Sequence, residues 1–318
     1  MNNVLVAIGE ALIDFIPKET GCSFDEVTAF SPKIGGAPAN VCGAYAKLGG
    51  TARMITQVGD DPFGHKIVDE LSEAGVDVDC ISLTDSATTA LAFVSLGADG
   101  GRTFSFYRKP SADMLYSPEN LKEEYFDNAY VLHFCSVDIG DFPMKAAHKK
   151  AIEIIRKKGG IVSFDPNLRF NLWDSAEALK AAVLEFIPLS DIVKISDEEL
   201  EFITGESDVQ AGIAKIFDMG VKLVLYTCGS NGAYAYTKKA DAFAPSQKVK
   251  AVDTTGAGDG FTGAFLWKLS GICPVREELE NLTSEELAEC VEFSNKFCAI
   301  SVQRAGAIAS YPTADEVE

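Results

Sequence analysis

Short apolar segments rich in β-branched residues alternate along this chain with longer amphipathic segments of helical period. The apolar segments are Val4–Ile8, Met54–Val58, Val131–Cys135, Ile161–Asp165, Ile192–Ile195 and Leu223–Thr227. The helical segments are Ala39–Leu48, Phe63–Ala74, Met144–Lys158 and Ala176–Ile187. Because parallel strands need helical crossovers that cover both faces of a sheet, this order predicts a three-layer α/β/α fold with a mainly parallel central sheet.

Two regions depart from the alternation. Phe24–Ser31 and Thr89–Tyr107 have the pattern of strands without intervening helices, and the second is interrupted by the glycine-rich turn Gly97–Gly101. We expect these regions, within segments about 12–34 and 88–110, to form a small β lid. Active-site loops of open α/β sheets gather at the carboxyl ends of the strands, so a lid over that edge would exclude water.

The composition excludes several classes of protein. The chain has 318 residues, of which 47% are hydrophobic, and it has neither an internal repeat nor a Pro/Ser-rich linker, so we expect one domain over residues 1–318. Its net charge of −19 argues against a nucleic-acid partner, because phosphate contacts need clustered cations. No apolar run approaches the ~20 residues that span a bilayer, so we expect no membrane partner and a cytoplasmic location.

The segment Asp253–Asp259 carries the strongest chemical signal. It follows the strand-like Lys248–Val252 and opens the helical run Gly260–Leu269. Glycines at a helix start allow backbone amides to converge on an anion. A carboxylate fixed there can accept a proton from an attacking hydroxyl. Taken alone, the segment also fits a structural turn in which Asp259 is an ordinary first-turn acid.

A second segment, Gly35–Asn40, opens the first predicted helix. Gly35 and Gly36 allow close approach of the backbone to a ligand, and Pro38 suits a first helical turn. Asn40 can donate to and accept from sugar hydroxyls. An ordinary loop-to-helix start would have the same composition.

Together the two segments resemble the two motifs of the ribokinase-like (PfkB) carbohydrate kinase family, in the same order and about 220 residues apart. The resemblance covers essentially the whole chain and implies the ribokinase-like fold with ATP-dependent phosphorylation of a sugar hydroxyl. It implies that Asp259 is the catalytic base and that Gly256, Ala257 and Gly258 stabilise the transferring phosphoryl group.

The resemblance also implies a set of sugar-binding residues: Asp14, Gly35, Gly36, Asn40, Arg108, Asn167 and Asp259. The stretch Asp165–Trp173 is similar to fructokinases and 2-keto-3-deoxygluconate kinases, and its Arg169 can bind an oxyanion. We expect phosphorylation of D-fructose to fructose 6-phosphate, with 2-keto-3-deoxygluconate as the open alternative. A carboxylate substrate would need a further cation near Arg108, for which Lys109 is the only obvious candidate.

Further residues match the nucleotide and metal positions of the family. The resemblance implies contact with ATP by Lys194, Thr227, Gly229, Gly232, Gly256, Gly258 and Asn295. It implies that Glu199 orders Mg²⁺ through water, although Ser196 and Glu199 also have the spacing of a helix capping box. It implies a monovalent-cation site, with K⁺ as the ion, at Asp253, Thr255, Ser301, Arg304, Gly306 and Ser310. Exposed lid strands could also pair in a homodimer.

Other functions account for the sequence less well. Gly258–Gly263 satisfies the dinucleotide-binding pattern G-x-G-x-x-G, but no strand follows the helix as a dehydrogenase would require. The chain contains no P-loop motif. A non-catalytic sugar-binding protein remains as an alternative, but such a protein would need neither Asp259 nor the anion-binding glycines.

Overall fold

The computed structural model describes residues 3–19, 21, 24–96 and 102–318, and within them ten strands form one large sheet. These strands are β1 (Val4–Ile8), β4 (Thr51–Gly59), β5 (Val76–Asp77), β6 (Ile81–Thr84), β9 (Ala129–Cys135), β10 (Ile161–Asp165), β11 (Ile192–Ser196), β12 (Leu223–Thr227), β13 (Ala233–Tyr236) and β14 (Asp241–Ala244). Their order is β14-β13-β12-β11-β10-β9-β1-β4-β5, with β6 also paired to β4. The pairs from β12 through β1 to β4, β5 and β6 are parallel, and only β12-β13 and β13-β14 are antiparallel within the described sheet.

Helices cover both faces of this sheet. They are α1 (Ala37–Lys47), α2 (Pro62–Glu73), α3 (Pro143–Lys157), α4 (Ala176–Phe186), α5 (Asp197–Thr204), α6 (Val209–Asp218), α7 (Ala257–Ile272), α8 (Ser284–Ser301) and α9 (Ala314–Val317). Side chains of β1 alternate between two cores, since Leu5 and Ala7 pack with the α1 and α7 side and Val6 and Ile8 with the α3 and α4 side. The predicted three-layer α/β/α fold is confirmed.

Helices α1 and α7 lie in close contact. A Cβ atom placed on Gly263 of α7 would be 2.6 Å from Ala44 Cβ and 2.8 Å from Val41 O of α1. Such distances are shorter than van der Waals contact, so this crossing requires glycine at position 263. The contact fixes the two helices side by side.

Helices α1 and α7 begin differently from α2 and α6. Helices α2 and α6 have the side-chain caps Asp61 and Asp208, as is usual for helix N-termini. In contrast, α1 and α7 begin after Gly36 (φ 103°) and Gly256 (φ 71°), which supply no side-chain cap. In α1 the Ala37 N–H donates instead to Glu10 Oε1, whereas in α7 the Ala257 N–H donates to Thr254 O.

A second, four-stranded sheet is built from the segments that we expected to form a lid. Its strands are β2 (Leu12–Pro17), β3 (Phe30–Gly35), β7 (Leu91–Leu96) and β8 (Arg102–Tyr107), in the order β3-β2-β7-β8. The pairs β2-β3 and β7-β8 are antiparallel, whereas β2-β7 is parallel. Phe15 and Phe93 stack with their ring centroids 4.6 Å apart. The predicted strands within Thr89–Tyr107 are confirmed, and the turn Gly97–Gly101 lies outside the described residues.

Three local predictions were wrong. Phe24–Ser31 is not a strand, because residues 24–26 form a 3₁₀ turn and the strand begins at Phe30. Lys248–Val252 has no strand structure, since the chain runs there without a sheet partner before α7. The family resemblance also implies that Asp14 lies at the end of the first strand, but β1 stops at Ile8 and Asp14 lies within β2. Among the described residues, no helix has the length and apolar character needed to cross a membrane.

Candidate active site

A cavity of about 620 Å³ opens where the two sheets meet. It is lined by Glu10, Leu12, Asp14, Gly36, Ala37, Asn40, Phe104, Phe106, Val137, Asn167, Leu168, Arg169, Phe170, Asn171, Thr254, Thr255, Gly256 and Asp259. These residues come from the carboxyl ends of β1 and β10, from the N-termini of α1 and α7, and from β2 and β8 of the small sheet. Ligands of open α/β sheets bind at this edge.

Asp259 lies in the first turn of α7 and is part of the cavity wall. Its Oδ2 accepts a hydrogen bond of 2.9 Å from Asn40 Nδ2 of α1. Burial raises the pKa of Asp259, whereas the Asn40 hydrogen bond and the charges of Arg169 and Lys194 lower it. A carboxylate with a raised pKa, held at a helix N-terminus beside a cavity, is suited to accept a proton.

The turn before α7 can only be made with glycine at position 256. Its φ is 71°, and a Cβ there would lie 2.6 Å from Tyr311 Oη and 2.7 Å from Ala307 Cβ. Tyr311 Oη also donates a hydrogen bond of 2.7 Å to Gly256 O. The turn is therefore fixed from outside, and the start of α7, with Gly256 and Asp259 in the cavity wall, presents a helix N-terminus that favours an anion.

Asp14 and Gly35, which were both predicted to bind the sugar, are in close contact with each other. A Cβ on Gly35 would lie 2.1 Å from Asp14 Oδ2, so glycine leaves the space that the carboxylate occupies. Asp14 is 9% exposed and lines the cavity. Gly36 lines it too, and a Cβ there would lie 2.5 Å from Glu10 O.

The end of β10 brings two further polar side chains to the cavity. Asn167 has a left-handed backbone (φ 39°), and its N–H donates to Asp165 Oδ1 at 3.0 Å. Asn167 and Arg169 both line the cavity. Asp165 is buried and forms an ion pair of 3.2 Å with Lys194. Burial raises the pKa of Asp165 to about 7, against the lowering effect of Lys194.

Lys194 connects this ion pair to the α7 turn. A Cβ on Gly258 would lie 3.5 Å from Lys194 Nζ, so the ammonium group is adjacent to the first turn of α7. Lys194 is 7% exposed. A cation in this position adds to the favourable field that the helix N-terminus presents to an anion.

Glu199 is held by the backbone around it. Its Oε2 accepts the Ser196 N–H at 2.8 Å, and its Oε1 accepts the Leu168 N–H at 2.9 Å. The capping-box alternative is therefore present in the structure. Lys194 and these hydrogen bonds lower the pKa of Glu199 in spite of its burial. The contact with Mg²⁺ through water remains a prediction.

Four of the residues expected at the nucleotide, Thr227, Gly229, Gly232 and Asn295, are not among those that line this cavity. Thr227 ends β12, and Gly229 and Gly232 lie in the turn that follows, with φ of 52° and 123°. A Cβ on Gly232 would lie 2.3 Å from Ala244 O, the same carbonyl that accepts a hydrogen bond of 2.8 Å from Asn295 Nδ2. The structure thus brings Gly232 and Asn295 together.

The residues expected at a monovalent cation form two local groups and one outlier. Asp253 accepts hydrogen bonds from Thr255 N and Oγ1 and, at 2.9 Å, from Gly306 N. Ser301 Oγ and Ser310 Oγ are 2.7 Å apart. The side chain of Arg304 instead forms an ion pair with Glu316 at the surface.

Arg108 is placed differently from a side chain that reaches a substrate. It is buried, its guanidinium is bound to both Asp113 and Asp138, and it is not among the residues lining the cavity. Direct contact between Arg108 and the sugar therefore has no support in this geometry.

Sequence reasoning missed several residues of the cavity wall. Glu10 lies two residues after the end of β1. Phe104 and Phe106 lie two positions apart on β8 and hence on one face of that strand. The period of two in Phe104–Phe106 was a signal for a shared face. The lid expected within residues 88–110 placed this strand near the site, but nothing in the sequence indicated which of its faces would line the cavity.

A cavity with carboxylate and amide side chains in its wall, beside a helix N-terminus that carries a carboxylate, is suited to a phosphotransferase that acts on a small polyhydroxy compound. Residues 2–314 match the pfkB family of carbohydrate kinases, and the chain belongs to this family. The predicted resemblance is confirmed, and the protein is an ATP-dependent sugar kinase.

Curated relatives and solved structures agree with this assignment. The chain is 42% identical to fructokinase-2 of Solanum habrochaites over 316 residues, which cover 99% of this chain and 95% of the relative. It is similar to the fructokinase with bound ATP from Xylella fastidiosa, with a TM-score of 0.91, 33% identity and coverage of 100% and 97% of the two chains. A fructokinase variant from Vibrio cholerae O395, in its form with bound fructose, ADP and potassium ion, has a TM-score of 0.85, 31% identity and coverage of 99% and 97%.

Proposed function

We propose that this protein transfers the γ-phosphate of ATP to the 6-hydroxyl of D-fructose, giving fructose 6-phosphate. The relatives at 42% identity are fructokinases, and a similar structure from Vibrio cholerae carries fructose and ADP. The observation that carries the proposal is the Asn40–Asp259 hydrogen bond in the wall of a cavity of about 620 Å³, which has room for a sugar.

In this proposal Asp14, Asn40 and Asn167 hold the sugar. Carboxylate and amide groups can accept from and donate to several hydroxyls at once, which orients the acceptor hydroxyl. Asp259 then accepts the proton of that hydroxyl as its oxygen attacks the terminal phosphorus. The hydrogen bond from Asn40 holds the Asp259 carboxylate in one orientation throughout.

The phosphoryl group would be stabilised at the start of α7. Gly256 lines the cavity, Ala257 and Gly258 follow it in the first turn of α7, and Lys194 lies beside Gly258. Amides and a cation preorganised around a developing charge stabilise it without further rearrangement. The rest of ATP would extend towards Thr227, Gly229, Gly232 and Asn295, whose glycines permit close approach of a ligand to the backbone.

The residues present fit a magnesium ion that arrives with the nucleotide. Glu199 has a lowered pKa, and both of its oxygens are fixed by backbone N–H groups, so it is a preoriented anion that can accept from a metal-bound water. Mg²⁺ usually keeps several waters and few carboxylate ligands in nucleotide sites. When bound, it would neutralise charge on the phosphoryl oxygens.

The monovalent-cation site is also part of the proposal, at the loop that the Asp253–Gly306 hydrogen bond closes. The bond joins the strandless segment before α7 to the loop after α8, so an ion bound there would stiffen the anion-binding turn. The other residues proposed for this site are Thr255, Ser301, Arg304 and Ser310.

The small sheet is proposed as a lid over one domain that spans residues 1–318. Its Leu12, Asp14, Phe104 and Phe106 form one side of the cavity, so closure would exclude water from the transfer. We also propose pairing of two copies through the edge strands β3 and β8, where Tyr107 is 60% exposed.

A coupled assay of ADP release with a panel of sugars tests the function. We expect ADP release that depends on sugar, with the highest kcat/KM for fructose, and a product that is fructose 6-phosphate. Equal ADP release with and without fructose would contradict sugar phosphorylation. A higher kcat/KM for another sugar would leave the kinase class intact and contradict the assignment of fructose.

A further inference from the structure

A buried charge cluster lies beside the sugar side of the cavity. Arg108 directly follows β8, and its Nη2 donates to Asp113 Oδ2 and to Asp138 Oδ1. All three side chains are at most 5% exposed. Asp113 also accepts a hydrogen bond from Ser111 Oγ. One guanidinium is thus shared by two carboxylates with almost no solvent.

The cluster reaches the cavity through Glu10. Glu10 lines the cavity and interacts electrostatically with both Arg108 and Asp138. Its Oε1 accepts the Ala37 N–H of α1 at 2.9 Å, and its Oε2 is buried without a hydrogen-bond partner among the described residues. Val137, next to Asp138 in sequence, also lines the cavity. The cluster therefore stands directly behind the wall that a sugar would contact.

The charges of this wall are mainly negative. Among the described residues that line the cavity, the acids are Glu10, Asp14 and Asp259, and the one cation is Arg169. The single charge of Arg108 faces the carboxyl groups of Asp113 and Asp138 behind the wall and that of Glu10 within it. Burial raises the pKa of Glu10 and Asp138, so protonation removes part of the negative charge, but no positive charge is left over. Lys109 is exposed and does not line the cavity.

We propose that Asp113 and Asp138 determine the substrate class: they neutralise Arg108 behind the sugar site, so that the site accepts an uncharged sugar and rejects a sugar acid. The inference rests on the proposed function, because it concerns the sugar side of the same cavity. A guanidinium with a free face would attract the carboxylate of a sugar acid. With both aspartates bound to its Nη2, the charge of the guanidinium is already compensated, although its Nε has no hydrogen-bond partner among the described residues.

Steady-state kinetics with two substrates test this proposal. kcat/KM is measured for fructose and for 2-keto-3-deoxygluconate, in the wild type and in Asp138→Asn. We expect the wild type to prefer fructose by about 100-fold or more, and Asp138→Asn to reduce the preference by about tenfold, mainly through a lower KM for the acid. The matched control is Asp127→Asn, whose carboxylate pairs with Lys158 at the surface and whose preference should equal that of the wild type.

A second variant and a second measurement cover a failure of Asp138→Asn to fold. Asp113→Asn should change the preference in the same direction, and in the wild type 2-keto-3-deoxygluconate should not compete with fructose at about 100 times the KM of fructose. A folded variant with an unchanged preference, or competition by the acid near the KM of fructose, overturns the inference. Absence of fructose phosphorylation by the wild type would instead overturn the proposed function.

Discussion

Asn40 and Asp259 are 219 residues apart in sequence and joined by a hydrogen bond of 2.9 Å. The bond connects the first turns of α1 and α7, the two helices that begin with glycine and lack a side-chain cap. Gly263 lets these helices approach closely, so the bond depends on the packing of α1 against α7. The proposed base is thereby oriented by the core of the fold rather than by a flexible loop.

Replacement of Asn40 tests this orientation. The Asn40 N–H stabilises the charged form of Asp259 and so lowers its pKa, and in Asn40→Ala that pKa should rise. The acidic limb of the pH profile of kcat should then move to higher pH. Loss of a hydrogen bond to a charged group should reduce kcat/KM for fructose about 10- to 100-fold. The control Asn281→Ala, at the surface, should leave the pH profile and kcat/KM unchanged. An acidic limb that does not move in Asn40→Ala would contradict the account.

Substitution of Gly35 tests the sugar contact of Asp14. A Cβ at this position would overlap the Asp14 carboxylate, so Gly35→Ala should displace it and raise the KM for fructose about tenfold or more with a smaller change in kcat. Gly271→Ala is the matched control, because a Cβ on this helical glycine meets nothing within 4 Å. Both variants are compared by steady-state kinetics. An unchanged KM in a folded Gly35→Ala protein would remove Asp14 from the sugar site.

Removal of Lys194 alone should destabilise the protein more than removal of the charges of both Lys194 and Asp165. Lys194→Met leaves a buried carboxyl group without its partner and should lower the free energy of unfolding by about 3 kcal/mol. Adding Asp165→Asn should recover part of this loss. Lys145→Met removes a more exposed pair with Glu185 and should cost less than about 1 kcal/mol. Urea denaturation measures all three, and equal losses for Lys194→Met and Lys145→Met would contradict the assigned burial.

Acid should destabilise the protein through His148, which is buried between Phe134 and Phe186. Burial lowers the pKa of His148 from 6.5 to about 4. As the pH falls, the unfolded chain therefore takes up a proton at His148 before the folded chain does. The stabilisation by neutral His148 is fully present above pH ~6.5 and is lost as the pH falls towards ~4, by about 3 kcal/mol.

His148→Phe keeps an aromatic ring in this position and removes the titrating group. Its free energy of unfolding should fall less steeply below pH ~6.5 than that of the wild type. His133, whose pKa burial also lowers, to about 3, keeps some of the slope. His65→Asn, at the surface, serves as control. Equal slopes for the wild type and His148→Phe would contradict the buried neutral form.

The large sheet could be predicted because its strands are continuous apolar runs. Val4–Ile8, Ile161–Asp165 and Leu223–Thr227 have the predicted bounds, since a strand buried on both faces leaves a strong local signal. The lid was harder. Phe30–Gly35 has a weakly apolar pattern, and its pairing with Leu12–Pro17 is set by contacts distant from it in sequence.

Part of the site could also be predicted, because it too has a strong local signal in the sequence. Asp259, Asn40 and Gly256 belong to local motifs at helix starts, where residue types are constrained by backbone geometry. The cluster of Arg108, Asp113 and Asp138 depends on two segments, residues 108–113 and the turn after β9, that only the fold brings together. Residue types alone therefore indicated a cation at Arg108 but not the carboxylates that neutralise it.

The most direct test of the account is Asp259→Asn, studied by kinetics and by calorimetric binding of fructose. The amide keeps the size of the side chain and cannot accept the proton, so kcat should fall about 10²- to 10⁴-fold. The Kd of fructose should remain within roughly threefold of the wild type, because Asp14 and Asn167 still hold the sugar. A Kd that rises as much as kcat falls, or a kcat that is retained, would contradict the assignment of Asp259 as the base.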